Sequence, residues 1–114
     1  MKKVYIAGPY TGKTPWQVEK NVRKAEELAA QVWARGHVGV CIHSMCRHFV
    51  GVAPEGVFIE GDLMILEACD AMLLVDGWED SSGTQGEVIW CRENDFPFFY
   101  ALDDLMAYLE KLDA

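Results

Sequence analysis

AMLLVDGWEDSSGTQGEVIWCREN, Ala71 to Asn94, decides the fold. Ala71–Val75 is an unbroken apolar run of strand length, the pattern of a strand buried on both faces. Asp76–Gly83 (DGWEDSSG) is polar and dense in turn residues, so it reads as a loop. Thr84–Asn94 then reads as a helix, with Thr84 as its candidate N-cap. A buried strand, a polar loop at its carboxyl end and a following helix form the repeating element of a parallel α/β sheet.

The same element recurs on both sides. Upstream, Lys3–Ala7 (KVYIA) reads as a first strand stopped by Gly8-Pro9. Pro15–Gly36 reads as a helix, with Thr14 at the N-cap, Pro15 at the first helical position and Gly36 as the stop. Val18, Val22, Ala25, Ala29 and Val32 recur at helical spacing and share its inner face. Val38–Ile42 reads as the second strand, His43–Val57 as a long loop, and Phe58–Cys69 as a second helix. Downstream, Pro97–Tyr100 reads as a short fourth strand and Ala101–Leu112 as a last helix. The pattern predicts one α/β domain over residues 1–114, a Rossmann-like (flavodoxin-like) three-layer sandwich on a parallel sheet of about four strands. Ligands bind such sheets beyond the carboxyl ends of the strands, here Gly8–Thr14, His43–Val57 and Asp76–Gly83.

Composition narrows the function. Of 114 residues, 51% are hydrophobic and 25% charged, the balance of a globular domain. Ten Lys+Arg against 18 Asp+Glu leave a net charge of −8, which opposes binding to nucleic acid or an anionic membrane. The amino-terminal stretch MKKVYIAGPY has four apolar residues in a row, too few for a signal peptide. A cytoplasmic location is expected, with Cys41, Cys46, Cys69 and Cys91 as thiols.

Each loop offers chemistry. AGPYTGKT, Ala7–Thr14, matches a loosened phosphate-binding pattern, and Ala71–Asp76 matches a strand ending in an acid; together they describe a P-loop-like NTPase with Lys13 on the phosphates. Ala7 stands where that pattern wants glycine, and Pro9 removes a backbone donor. CIHSMCRH gathers Cys41, His43, Cys46 and His48, all zinc-ligand types, without the paired spacing of a zinc site, so no metal is expected. His43, leaving the second strand at its carboxyl end, is placed to face a cleft. In the third loop Gly83 lets a ligand approach the backbone. Glu87 falls in the first turn of the helix, where the dipole favours its ionised form. It reads either as a nucleophile or as the partner of Thr84 in a capping box. Tyr10, Trp16 and Trp78 are candidates to stack on a base. Trp33, Trp90, Phe98 and Phe99 read as core or subunit interface, and Asp70 as structural. Asp76 and Asp80 read as solvated loop acids that can also reach ribose hydroxyls.

VYIAGPYTG (Val4–Gly12), Asn21 and Ala25 on the first helix, GDLMILEACDAMLLVDGW (Gly61–Trp78) and SSGTQGEV (Ser81–Val88) resemble, in order and spacing, the nucleoside 2-deoxyribosyltransferase-like superfamily and its small bacterial and phage branch, DUF4406. The likeness runs from about Val4 to Tyr100. It implies chemistry at the N-glycosidic bond of a nucleoside or nucleoside 5′-monophosphate. By the same resemblance Glu87 is the nucleophile, Asp62 assists the base, and Tyr5 lies near the nucleophile. Ser81 contacts the sugar or its 5′ end, and the turn Gly8–Gly12, with Pro9 and Tyr10, lines the sugar-phosphate side. It implies no cofactor, and a homodimer or higher oligomer, for which aromatics on the last helix offer a surface. The alternatives are a non-catalytic nucleotide-binding module on the same fold and the P-loop-like NTPase.

Overall fold

The computed structural model describes residues 1–113. Among them, strands and helices alternate as β1 (Lys3–Ala7), α1 (Pro15–Ala34), β2 (Val38–Cys41), the short α2 (Ile42–Met45), α3 (Glu55–Glu67), β3 (Ala71–Leu74), α4 (Ser82–Glu93), β4 (Phe98–Phe99) and α5 (Leu102–Asp113). The four strands form one parallel sheet in the order β2-β1-β3-β4. This is the Rossmann-like three-layer sandwich that the alternation predicts. The chain steps outward from β1 to β2, then returns past β1 to β3. That reversal opens a crevice between β1 and β3 at their carboxyl ends.

Alternation along the strands divides the core. Val4 and Ile6 of β1, with Ala71, Leu73 and Val75, pack against Ala25, Ala29 and Val32 of α1 and Leu105, Met106 and Leu109 of α5. Tyr5 and Ala7, with Met72 and Leu74, face the other way, onto Leu66 of α3 and Val88 and Cys91 of α4. A period of two thus commits Tyr5 to the same side of the sheet as α4. Asp70 is structural, as read: its Oδ2 accepts from Lys3 N at 2.7 Å, while Asp70 N donates to Lys3 O at 2.8 Å.

Several boundaries move. β2 stops at Cys41, because Ile42 and His43 turn inward as the start of α2 and are buried. The long loop is therefore not wholly irregular. α3 begins three residues before Phe58, at Glu55, behind Pro54, whose φ of −58° suits a helix entry. α4 begins at Ser82, so Thr84 is not its N-cap: Ser81 is, its side chain accepting from Thr84 N. Trp90 pairs with Phe96, and Phe98 and Phe99 pack on opposite faces of the core. Trp33 is exposed and donates to Gly39 O at 3.1 Å. Tyr108 of α5 packs on Phe99 at 5.2 Å between ring centroids, which takes the last helix's aromatic off the surface expected of it. Among the described residues no helix is long and apolar enough to cross a membrane.

Candidate active site

Tyr5 reaches Glu87 across the crevice. Its hydroxyl donates to Glu87 Oε2 at 2.5 Å. Burial, followed by the Glu87 charge, pushes the Tyr5 phenol far above its ordinary range, so it remains a donor. Glu87 is the sixth residue of α4, not in the first turn, and no capping box with Thr84 forms. The helix start therefore does not set its charge. Burial does: it pushes Glu87 up to about 7, against the opposing bond from Tyr5, while the Asp62 charge adds to the rise and His43 opposes it.

Asp62 approaches from α3. Burial pushes its carboxyl up, and His43 pulls it back.

His43 is 6% exposed. Its Nε2 lies 3.1 Å from Gly8 O and 3.0 Å from Pro9 O. Carbonyl oxygens only accept, so Nε2 carries the proton. His43 Nδ1 is buried and has no partner among the described residues.

These groups line one cleft of about 790 Å³, within the ~300–1,000 Å³ usual for small-molecule sites. Of the predicted residues, Tyr5, Gly8, Tyr10, His43, Asp62, Ser81, Gly83 and Glu87 meet there. Ser81 Oγ accepts from both Thr84 N at 3.2 Å and Thr84 Oγ1 at 3.1 Å, so its own proton is left for another acceptor. Gly8 is a packing glycine: a Cβ there would stand 2.6 Å from Val75 Cβ.

Pro9, Gly12 and Trp78 are not brought to the cleft wall. Pro9 contributes only the carbonyl that His43 holds. A Cβ at Gly12 would lie 2.5 Å from Gln17 Cγ, so that glycine serves the start of α1. Trp78 packs beside Tyr100, ring centroids 5.9 Å apart, and Trp16 lies exposed under Arg23. Neither stacks toward the cleft. Lys13 is also outside it, and Thr14 spends its hydroxyl capping α1 by accepting from Gln17 N at 3.1 Å. Cys46 lines the cleft, His43 is occupied by carbonyls, and no three His, Cys, Asp or Glu among the described residues gather as a metal site.

The sequence reading missed the apolar wall. Phe49, Val50, Phe58, Ile59 and Leu63 line the same cleft as Glu87 and Asp62. One signal was available: Phe58 and Asp62 are four residues apart, so a helix that carries both shows them on one face. Phe49 and Val50 sit in irregular chain and had no such signal.

Comparison with known proteins gives one family. The DUF4406 model, a domain of unknown function, matches residues 2–100, and the chain belongs to that family. No curated protein matches it.

Proposed function

We propose that this protein cleaves or transfers at the N-glycosidic bond of a nucleoside or nucleoside 5′-monophosphate, as the likeness to the nucleoside 2-deoxyribosyltransferase-like superfamily implies. The observation that carries the reading is the half-buried Tyr5–Glu87 hydrogen bond, in the cleft of nucleoside size that Asp62 also lines. Glu87, ionised and oriented by Tyr5, attacks the anomeric carbon. The C1′–N bond breaks with its electron pair on the base, and Asp62 gives the departing base a proton. A covalent glycosyl-enzyme results. Water or a second base then attacks the same carbon, giving up a proton to Asp62 and freeing Glu87. Water makes the protein a hydrolase, and a base makes it a transferase. The developing oxocarbenium charge is stabilised by the Glu87 carboxylate before the bond forms, as in glycoside hydrolysis.

The apolar wall of Phe49, Phe58 and Ile59 suits the flat face of a base. The loop Gly8–Thr11 and Ser81, with its free hydroxyl proton, suit the sugar and its 5′ end. Self-association belongs to the proposal; Val57 and Met64 of α3 leave apolar surface open for it.

Incubation with a panel of nucleosides and 5′-monophosphates, with and without a free acceptor base, tests the reading by chromatography. Base release or exchange by the wild type, absent in Glu87→Ala, is expected. Ligand binding without turnover in both proteins would instead identify a nucleotide-binding module. Mg²⁺-dependent phosphate release lost in Lys13→Ala would identify an NTPase.

A further inference from the structure

Four consecutive carbonyls of the loop between β1 and α1 are held from outside that loop. His43 Nε2 takes Gly8 O and Pro9 O, at 3.1 and 3.0 Å. Asn21 Nδ2, from α1, donates to Tyr10 O and Thr11 O, both at 3.1 Å. The orientation of the Asn21 amide follows from those two carbonyls, which only accept, while its Oδ1 accepts from Gln17 Nε2 at 3.0 Å. Its NH₂ must therefore face the loop.

The donors of the loop are treated differently. The N–H groups of Gly8, Tyr10 and Thr11 engage no backbone or side-chain partner among the described residues. Those three residues line the cleft. Pro9, which has no N–H, does not. The loop thus has its acceptors occupied and its donors free, on residues that line the cleft.

We propose that Asn21 is a positioning residue for this cleft: it completes the clamp that turns Gly8–Thr11 into a wall of N–H donors for an acceptor-rich ligand group. Sugar oxygens and a 5′-phosphate share that chemistry. The assignment rests on the nucleoside or nucleotide reading of the cleft. Asn21 does not itself line the cleft and acts only through the loop. Donors fixed in advance bind without first being ordered, which is the source of their strength. A freed carbonyl swinging toward the ligand would place two acceptors face to face.

Asn21→Asp is the informative variant. It keeps the size and the oxygen that Gln17 uses, removes both N–H donors, and sets a carboxylate against two carbonyl oxygens. Matched titrations with a nucleoside and its 5′-monophosphate are followed through the backbone amide resonances of Gly8, Tyr10 and Thr11. In the wild type all three should move with saturation, equally in both arms if sugar oxygens are bound and mainly in the monophosphate arm if phosphate is. Asn21→Asp should weaken binding at least about ten-fold, more than one neutral hydrogen bond is usually worth, because repulsion is added to loss. Asn21→Gln, which keeps the donors on a longer arm, should recover part of the loss. If ligand moves Glu87 and Ser81 but not the three loop amides, or if Asn21→Asp binds as the wild type does, the clamp assignment is overturned and the glycosidic reading stands. If Asn21→Asp does not fold, the wild-type amides alone decide. If no cleft resonance moves in either arm, the reading beneath it fails and this one fails with it.

Discussion

Tyr5, in the first strand, and Glu87, in the fourth helix, share a 2.5 Å hydrogen bond inside the crevice where the sheet changes direction. Two independent periods meet in it. Strand alternation sends Tyr5 to the α4 side, and α4, capped at Ser81, brings Glu87 inward on its second turn. The bond favours the ionised carboxylate, while burial opposes it.

Removing that bond should move the pH dependence. Tyr5→Phe deletes an interaction that lowers the Glu87 value, so Glu87 should titrate still higher than about 7. The acidic limb of kcat/KM should shift to higher pH, with a larger loss of activity near pH 6 than near pH 8. A pH–rate profile of base release checks this. An unshifted limb would mean that Glu87 is not the group titrating in the rate.

Stability should carry the same signature. The Glu87 value is raised from 4.5 to about 7, so the folded protein keeps a proton that the unfolded chain releases between those values. Its contribution to stability therefore declines as pH rises through that window and is level above it. Glu87→Gln removes the decline. Between about pH 5 and pH 8 the variant should gain on the wild type by on the order of 3 kcal/mol. Urea melts at both pH values measure it, and parallel behaviour of the two proteins would contradict the burial that the structure gives Glu87.

Ser81 has a structural duty as well as a place in the cleft. Ser81→Ala should cost about 1 kcal/mol through loss of the α4 cap. Ser81→Asp, which can also cap, should recover most of that stability. In binding it should fare worse than the wild type toward a 5′-monophosphate, since it sets a negative charge where a proton donor stood. Melts and titrations on the same samples separate the two effects.

Gly8→Ala tests the fit of the loop on the third strand. The added Cβ would meet Val75 at 2.6 Å, so either β3 or the loop must shift. A loss of about 1–3 kcal/mol is expected from overpacking, together with weaker ligand binding because the loop wall moves. Calorimetric melting checks the first, titration the second.

Much of this fold was legible in the chain. The apolar run Ala71–Val75 and the spacing of Val22, Ala25, Ala29 and Val32 are strong signals, and both elements form, the strand ending at Leu74 and the helix at Ala34. What failed was local. Thr84 and Ser81 are equally good caps by residue type, and the choice between them follows from Thr84 being buried and needing Ser81 as its partner. That choice moved Glu87 by almost a full turn, from the helix start to a half-buried position, and so reversed the direction in which its surroundings shift its carboxyl. The apolar wall escaped for a related reason. Phe49 and Val50 belong to irregular chain, where only tertiary contact decides which side chains face a cleft. An aromatic in a loop announces its size but not the neighbour that occupies its face, which for Trp78 is Tyr100.

In the proposed reaction Glu87 bonds to the sugar. The most direct test of that bond is mass analysis of protein quenched during turnover on a nucleoside that the panel identifies as a substrate. The expected result is a mass gain of one glycosyl group, mapped by peptide analysis to Glu87 and absent in Glu87→Gln. Base release with no adduct at Glu87, and at an undiminished rate in Glu87→Gln, would contradict the claim.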